Sequence, residues 1–321
     1  MKAPRVIFFW MLAAMLSLFL FAASAPSPLY PVYAARWGFS SITLTAIYAV
    51  YAAGALLALL TSGRLSDHLG RRKVVIVALA IQIAGVAAFI GADNVELLFI
   101  GRILNGVATG IATGAISAWL LDLQPPENPG LGGLVGGVAV LAGLGTGALG
   151  SGLLVEYAPD PLRLVYWLLV IAFAAALVTT FFIPDVIARS SGAFRSMRPR
   201  IGVPAVARSA FIALLPSLVA IWALGGLYVS LGPSLAITLV GDGSRVAGGL
   251  VIMALLGVGA ASSAVVRAGT PRVVLISGSL VLIAGVGVTL VAVAVGSPTG
   301  LYAGSVLAGL GFGPAFSGIM R

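Results

Sequence analysis

The chain has 321 residues, of which 60% are hydrophobic and only 8% charged, against about 25% charge in a soluble domain. That balance excludes a soluble globular protein, and the absence of cysteine excludes disulfides and thiolate metal sites. The formal charge of +9 invites a nucleic-acid reading. The basic residues, however, fall in short loops between apolar runs of about 20 residues, the length that crosses a bilayer, and that reading is set aside.

The first apolar run, Val6 to Ala23, follows Lys2 and Arg5 and ends in Ala23-Ser24-Ala25, which has the form of a signal-peptidase site. Its length, the spans that follow and the proline-rich Pro26-Ser27-Pro28-Leu29-Tyr30-Pro31 favour a retained span. Tyr30, Tyr33 and Trp37 are then expected in the aromatic belt at the far interface. Further spans are predicted over Ile42–Leu60, Val74–Gly91, Leu97–Leu121, the glycine-dense Leu131–Val155 and Tyr166–Ile183. A hydrophilic stretch, Asp185 to Arg208, carries Arg189, Arg195, Arg198, Arg200 and Arg208. Four spans follow, near Ala210–Val240, Val246–Val266, Val273–Val295 and Leu301–Met320; the first of these has soft limits because Pro216, Gly225, Gly226 and Pro233 interrupt it.

Fourteen basic residues fall on the side of the N-terminus, against Arg36, Arg163 and Arg245 on the other. The excess orients the N-terminus, the loop after the second span and the C-terminal end toward the cytoplasm of a cell or inner membrane. The two parts of the chain also repeat. Gly101, Gly106 and Gly110 in the fourth span match Gly304, Gly309 and Gly313 in the tenth, in register. The expected organisation is a six-helix half over residues 1–184, a basic linker over 185–208, and a second, shorter half over 209–321.

Between the second and third spans stands Gly63-Arg64-Leu65-Ser66-Asp67-His68-Leu69-Gly70-Arg71-Arg72-Lys73. The spacing of Gly63, Asp67, Gly70, Arg71 and Arg72 resembles the loop motif of the major facilitator superfamily, with His68 where the family has Arg or Lys. Val266-Arg267-Ala268-Gly269-Thr270-Pro271-Arg272 is a faded second copy. The resemblance implies an all-α, multi-pass fold of two parallel-related six-helix halves, here about ten helices. Twelve spans would need roughly 60 further residues, so the chain reads either as a fragment or as a product lacking the last two helices. In the family the loop aspartate latches the halves through helix eleven.

Enzyme chemistry finds no support in the residues. His68 is the one histidine, so no metal cluster or Ser-His-acid set can be assembled, and no cofactor motif is present. The glycine string Gly145-Thr146-Gly147-Ala148-Leu149-Gly150 lacks the βαβ setting of a dinucleotide site and reads as close helix packing.

Arg102 is the one clear ionisable residue within a span and should face the bundle interior with a partner. Arg102, Asn105 and Gly106 resemble the superfamily's fourth-helix motif, which implies proton coupling in drug–proton antiporters. The alternative is that Arg102 holds backbone carbonyls freed by Pro26 and Pro28. The fifth span resembles the antiporter motif only in part, because Ala148 replaces its proline and Ser151 one of its glycines. All nine acids fall in loops or at span ends, so the residues show no proton carrier.

Polar candidates for a solute cavity are Ser17, Ser24, Asn105, Ser117, Trp119, Trp222, Tyr228 and Ser230. A mostly apolar lining fits a neutral or amphipathic solute. The expectation is a monomeric secondary transporter working by alternating access, with proton-coupled efflux first and uptake of a metabolite or sugar second. From another class, a truncated membrane protein without transport activity remains open.

Overall fold

The computed structural model describes residues 3–63, 65–185, 205–241, 244–266 and 269–320, which are helical with no strand among them. Most of the predicted linker, and part of the faded loop copy, lie outside the described residues. In chain order the helices are α1 (Ala3–Ser24), α2 (Tyr30–Trp37), α3 (Ser41–Ser62), the short α4 (Leu65–Leu69), α5 (Arg71–Ile90) and α6 (Val95–Leu123). They continue with α7 (Leu131–Tyr157), α8 (Leu164–Thr180), α9 (Ala205–Val240), α10 (Arg245–Ile252), α11 (Val258–Val265), α12 (Pro271–Ala294) and α13 (Pro298–Met320).

Local chemistry sets many of these limits. The Ser40 hydroxyl accepts from the Thr43 amide at the start of α3, and the Asn94 side chain accepts from the Leu97 amide at the start of α6. Proline opens both α12 and α13, where its missing N–H costs nothing. Gly70 precedes α5 at a φ of 92°, a left-handed conformation that favours glycine.

Eight helical stretches among the described residues are long and apolar enough to cross a membrane. The two other predicted spans are the 17-residue α8 and the glycine-rich α13. Their shortness and glycine content, respectively, lower the apolar signal. Three expectations change in detail. The first span does not stop near Ala23; after a 3-10 turn at Ser27–Leu29 it resumes as α2, giving one path over Arg5–Trp37. Tyr30 and Tyr33 are consequently buried in the protein rather than set out in an interfacial belt. The seventh span is one 36-residue helix with Pro216 and Pro233 inside it, and the eighth contains a π-helical segment, Met253–Gly257, between α10 and α11.

The chain forms two compact units. One holds α1 to Ala23, α2 to α6, α7 as far as Ala139, and α8; the other holds Ser24–Leu29, Val140–Tyr157 and α9 to α13. Part of α7 joins the second unit because small residues bring backbones together there. A Cβ at Gly249 would stand 2.6 Å from the Ala148 carbonyl oxygen, and one at Gly145 would stand 2.9 Å from the Gly257 nitrogen.

The internal repeat extends to packing. In the first unit, Gly106 meets the Tyr51 backbone, Gly110 meets Ala55 and Ala58, and Gly85 meets Leu104 and Asn105. In the second, Gly309 meets the Ala254 and Leu255 carbonyls, Gly313 meets Gly259 and Ser262, and Gly285 meets Leu307 and Ala308. The α3–α5–α6 triplet and the triplet formed by α10–α11, α12 and α13 therefore close by the same glycine contacts.

Candidate functional site

The motif loop folds into α4 and the first turn of α5, and Arg71 is its centre. Arg71 is only 6% exposed. Its Nη1 donates to the Ser66 hydroxyl and the Asp67 carboxylate, while its Nε donates to Asp122 Oδ2 at 3.2 Å, from the end of α6. The cation is thus shared between two carboxylates on different helices. Asp67 itself remains half exposed, so its pair with Arg71 is worth less than the buried end of the network. Arg5 Nη2 adds a bond to the Asp122 carbonyl oxygen at 3.0 Å.

A third carboxylate, Asp185, completes the loop from just beyond α8. The Arg71 backbone N–H donates to Asp185 Oδ1 at 3.2 Å, placing negative charge at the open N-terminus of α5. Arg72 Nη2 donates to the Ile183 carbonyl at 2.6 Å, and Trp119 Nε1 donates to the Pro184 carbonyl at 3.1 Å. These bonds tie Ile183-Pro184-Asp185 to three elements. A Cβ at Gly70 would come within 2.5 Å of Asp185 Oδ2, so both the backbone angle and the carboxylate require glycine there. Gly63 ends α3 with ordinary right-handed angles and donates to Leu59 O. Sequence reasoning assigned Asp185 to the linker and missed this role. The Gly-Arg pair at 70–71 was the available signal that an anion is needed, but nothing in the sequence says which acid supplies it.

Arg102 lies inside the first unit, 1% exposed. Its Nη1 donates to the Ala23 carbonyl at 2.7 Å. That carbonyl sits where α1 gives way to the turn containing Pro26 and Pro28, which lack the N–H groups that would continue the helix. Three aromatic rings surround the guanidinium: Tyr51 at 4.5 Å, Tyr48 at 5.3 Å and Tyr30 at 5.8 Å from Cζ to ring centroid. The cation is held by a carbonyl and ring faces, the arrangement expected if it secures freed backbone. Tyr48 and Tyr51 were not singled out by the sequence reading; their spacing, with Tyr30, becomes meaningful only once α2, α3 and α6 are together. Asn105 is fully buried beside it. Gly106 is the contact point with α3, where a Cβ would stand 2.3 Å from the Tyr51 carbonyl oxygen.

The cavity candidates scatter. The Ser24 hydroxyl donates to Leu144 O at 2.6 Å, and the Tyr228 hydroxyl bonds Thr289 Oγ1 at 2.9 Å, so both are engaged in holding helices together. Ser117 is partly exposed on α6. Trp222 is half exposed on α9, its ring edge-on to Phe316 at 5.8 Å. Asn105 and Trp119 are buried in the first unit. In the second unit an apolar groove of about 480 Å³ runs beside the π segment, lined by Leu250, Met253, Ala254, Gly257, Tyr302 and Val306 among others. No set of three or more potential metal-ligating side chains occurs among the described residues.

Over 135 residues the chain is 29% identical to the glucose transporter GlcP of Staphylococcus epidermidis, a match covering 41% of this chain and 29% of that protein. It is 33% identical over 132 residues to the proton myo-inositol cotransporter hmit-1.1 of Caenorhabditis elegans, covering 39% and 21%. It is 31% identical over 123 residues to a citrate-proton symporter of Salmonella typhi, covering 35% and 28%. Each match thus spans less than a third of the relative's length. Among solved structures, the human organic anion transporter MFSD10 superposes with a TM-score of 0.62 at 20% identity, over 99% of this chain and 88% of that one, which establishes likeness of fold. The family profile described as Major Facilitator Superfamily matches residues 11–321. A multi-pass helical chain with this loop, this glycine repeat and this match belongs to the major facilitator superfamily of membrane transporters.

Proposed function

We propose that this protein carries a small polyhydroxylated metabolite into the cell by alternating access, coupled to protons, across the cytoplasmic membrane. The observation that carries the reading is the likeness to the glucose and myo-inositol carriers named above, with proton coupling also named for the citrate carrier, set against an incomplete antiporter motif in α7, where Ala148 takes the place of proline. Uptake therefore ranks above the drug efflux that the fourth-helix motif alone would favour. The charge bias of the loops supports a cytoplasmic N-terminus and charged loop, and a monomer is the simplest unit. In this reading the Arg71 network with Asp67, Asp122 and Asp185 steadies the cytoplasmic end of the first half between its two orientations. Arg102, with its charge fixed deep in the fold, is the residue through which coupling would act.

The test is transport by the purified 321-residue chain in proteoliposomes, with labelled glucose, myo-inositol and citrate under an imposed proton gradient. Saturable, stereospecific uptake that collapses with an uncoupler is expected. Extrusion of a lipophilic cation without sugar or inositol uptake would overturn the proposal in favour of efflux. Absence of any solute movement by correctly folded protein would favour a membrane protein without transport activity.

A further inference from the structure

Buried polar atoms are nearly always hydrogen-bonded in native proteins. Among the described residues, eleven buried side-chain nitrogen and oxygen atoms have no hydrogen-bond partner within the protein. Eight of them belong to six residues of the first unit: Tyr30, Gln82, Arg102, Asn105, Thr109 and Tyr166. Gln82 and Asn105 contribute both atoms of their amides, and both residues are 0% exposed.

These residues share a seam. Arg102, Asn105 and Thr109 follow one another at three- and four-residue spacing, hence on one face of α6. Gln82 lies one turn from Gly85, the residue at which α5 touches Gly101, Leu104 and Asn105. The Tyr30 ring stands over the Arg102 guanidinium. Tyr166 stacks at 5.0 Å on Phe89, whose ring packs against Gly101. The Tyr51 hydroxyl approaches that of Thr109 from α3.

The second unit shows that packing does not demand these polar groups. Through the matching glycine contacts, Arg102 corresponds to Ser305, Asn105 to Ala308, Thr109 to Phe312 and Gln82 to Leu282. There three of the four matching positions are apolar, and the Ser305 hydroxyl is satisfied by Leu301 O within its own helix; the other buried polar side chains of that triplet are the hydroxyls of Ser262, Ser263 and Thr289, of which only Ser263 has no partner within the protein. Thr109 and Tyr166 have the Tyr51 and Tyr33 hydroxyls close by, but leaving the six atoms of Tyr30, Gln82, Arg102 and Asn105 bare would cost about 1–3 kcal/mol for each group, a large part of what a marginally stable fold carries. Something polar and small must meet them.

We infer that the α3–α5–α6 seam is an internal hydration site, in which ordered water joins the Gln82 and Asn105 amides to Arg102 Nε, Thr109 and the tyrosine hydroxyls. At about three hydrogen bonds for each internal water, six atoms call for on the order of two molecules. The site gives the first unit a column of amide and guanidinium groups deep in its membrane span, where the second unit has Leu282, Ala308 and Ser305. It also sets water beside the carbonyl and ring faces that surround the Arg102 guanidinium. The inference does not depend on which solute is carried.

X-ray radiolytic footprinting tests it, because hydroxyl radicals born from bound water oxidise side chains that bulk solvent does not reach. Tyr30 and Tyr51 should be oxidised several-fold faster than Tyr228, whose buried hydroxyl is bonded to Thr289. Installing the second unit's residues, Gln82→Leu with Asn105→Ala, should bring Tyr30 and Tyr51 down to the Tyr228 rate. If that pair does not fold, the near-isosteric Thr109→Val should still slow Tyr51. Equal rates for the three tyrosines in the unaltered protein, or rates that these substitutions leave unchanged, would overturn the inference. Protection of Tyr30 and Tyr51 by added glucose or myo-inositol would also overturn it, by placing solute rather than water in the seam.

Discussion

Gly106→Ala puts one methyl group between α6 and α3. Its Cβ would stand 2.3 Å from the Tyr51 carbonyl oxygen and 3.1 Å from two further backbone atoms, where ordinary contact begins at 3.4 Å. The obstruction is main chain on both sides, so no side-chain rotation relieves it, and the helices must part by about 1 Å in a close-packed interior. Overpacking of that kind sits at the upper end of its usual range, about 3 kcal/mol. Replacing glycine by alanine in a helix returns about 1 kcal/mol. The net loss is about 2 kcal/mol, or a factor of about 30 in the ratio of folded to unfolded protein. Gly114→Ala is the internal control. Its Cβ would meet Leu59 Cδ1 at 3.4 Å and the Gly63 Cα at 3.7 Å, both ordinary contacts, so it keeps the propensity gain and should be neutral or stabilising. Unfolding by SDS in mixed micelles, followed by tryptophan fluorescence, measures the difference. A lower midpoint for Gly106→Ala and an unchanged or higher one for Gly114→Ala are expected. Equal shifts would refute the reasoning and return Gly106 to a direct role in coupling. Gly309→Ala in the second unit, 2.5 Å from the Ala254 carbonyl, should behave like Gly106→Ala.

Gly70→Ala should destabilise the charged loop twice over. The positive-φ, extended backbone at Gly70 costs a residue with a Cβ about 1–3 kcal/mol, and the new methyl group displaces Asp185 from the Arg71 amide. A double-mutant cycle with Asp185→Ala should show that only the second part is relieved; strict additivity would deny the contact. Asp67→Asn removes a half-exposed partner of Arg71 and should shift the unfolding midpoint by less than about 1 kcal/mol, yet lower turnover in the proteoliposome assay; normal turnover would reduce Asp67 to a spacer. Arg102→Lys loses the planar fit to three rings and to the Ala23 carbonyl. It should weaken proton-driven uptake while solute exchange continues, and unchanged driven uptake would remove Arg102 from coupling.

The parts of this fold legible in the sequence are those written locally. Runs of apolar residues gave the helices, and charged breaks gave the loops. The glycine triplets at 101, 106 and 110 and at 304, 309 and 313 announced a repeat that recurs as backbone contact. Arg102 stood out because a cation inside a span is costly wherever its partners come from. What stayed hidden is what tertiary structure assembles. Asp185 lies 114 residues from the amide it caps. Gln82 reads as an ordinary polar interruption until α5 packs, one turn away at Gly85, on the part of α6 that carries Asn105, and the tyrosine cage draws on two helices other than the one bearing Arg102. The continuation of the first span through Ser27–Leu29 was masked by prolines that, in solution chemistry, argue for an end. The π segment at Met253–Gly257 has no proline and no sequence mark at all.

The bond from Arg102 to the Ala23 carbonyl also orders events during synthesis. Ala23 emerges 79 residues before its partner, and within lipid a bare carbonyl at the broken end of α1 has no water to satisfy it. The first span therefore cannot settle into its final broken form until α6 has followed it into the bilayer. Until then it must remain a plain hydrophobic helix or be sheltered by the insertion machinery. Its assembly is a delayed step, completed when the fourth crossing delivers the charge that the first one was built to receive.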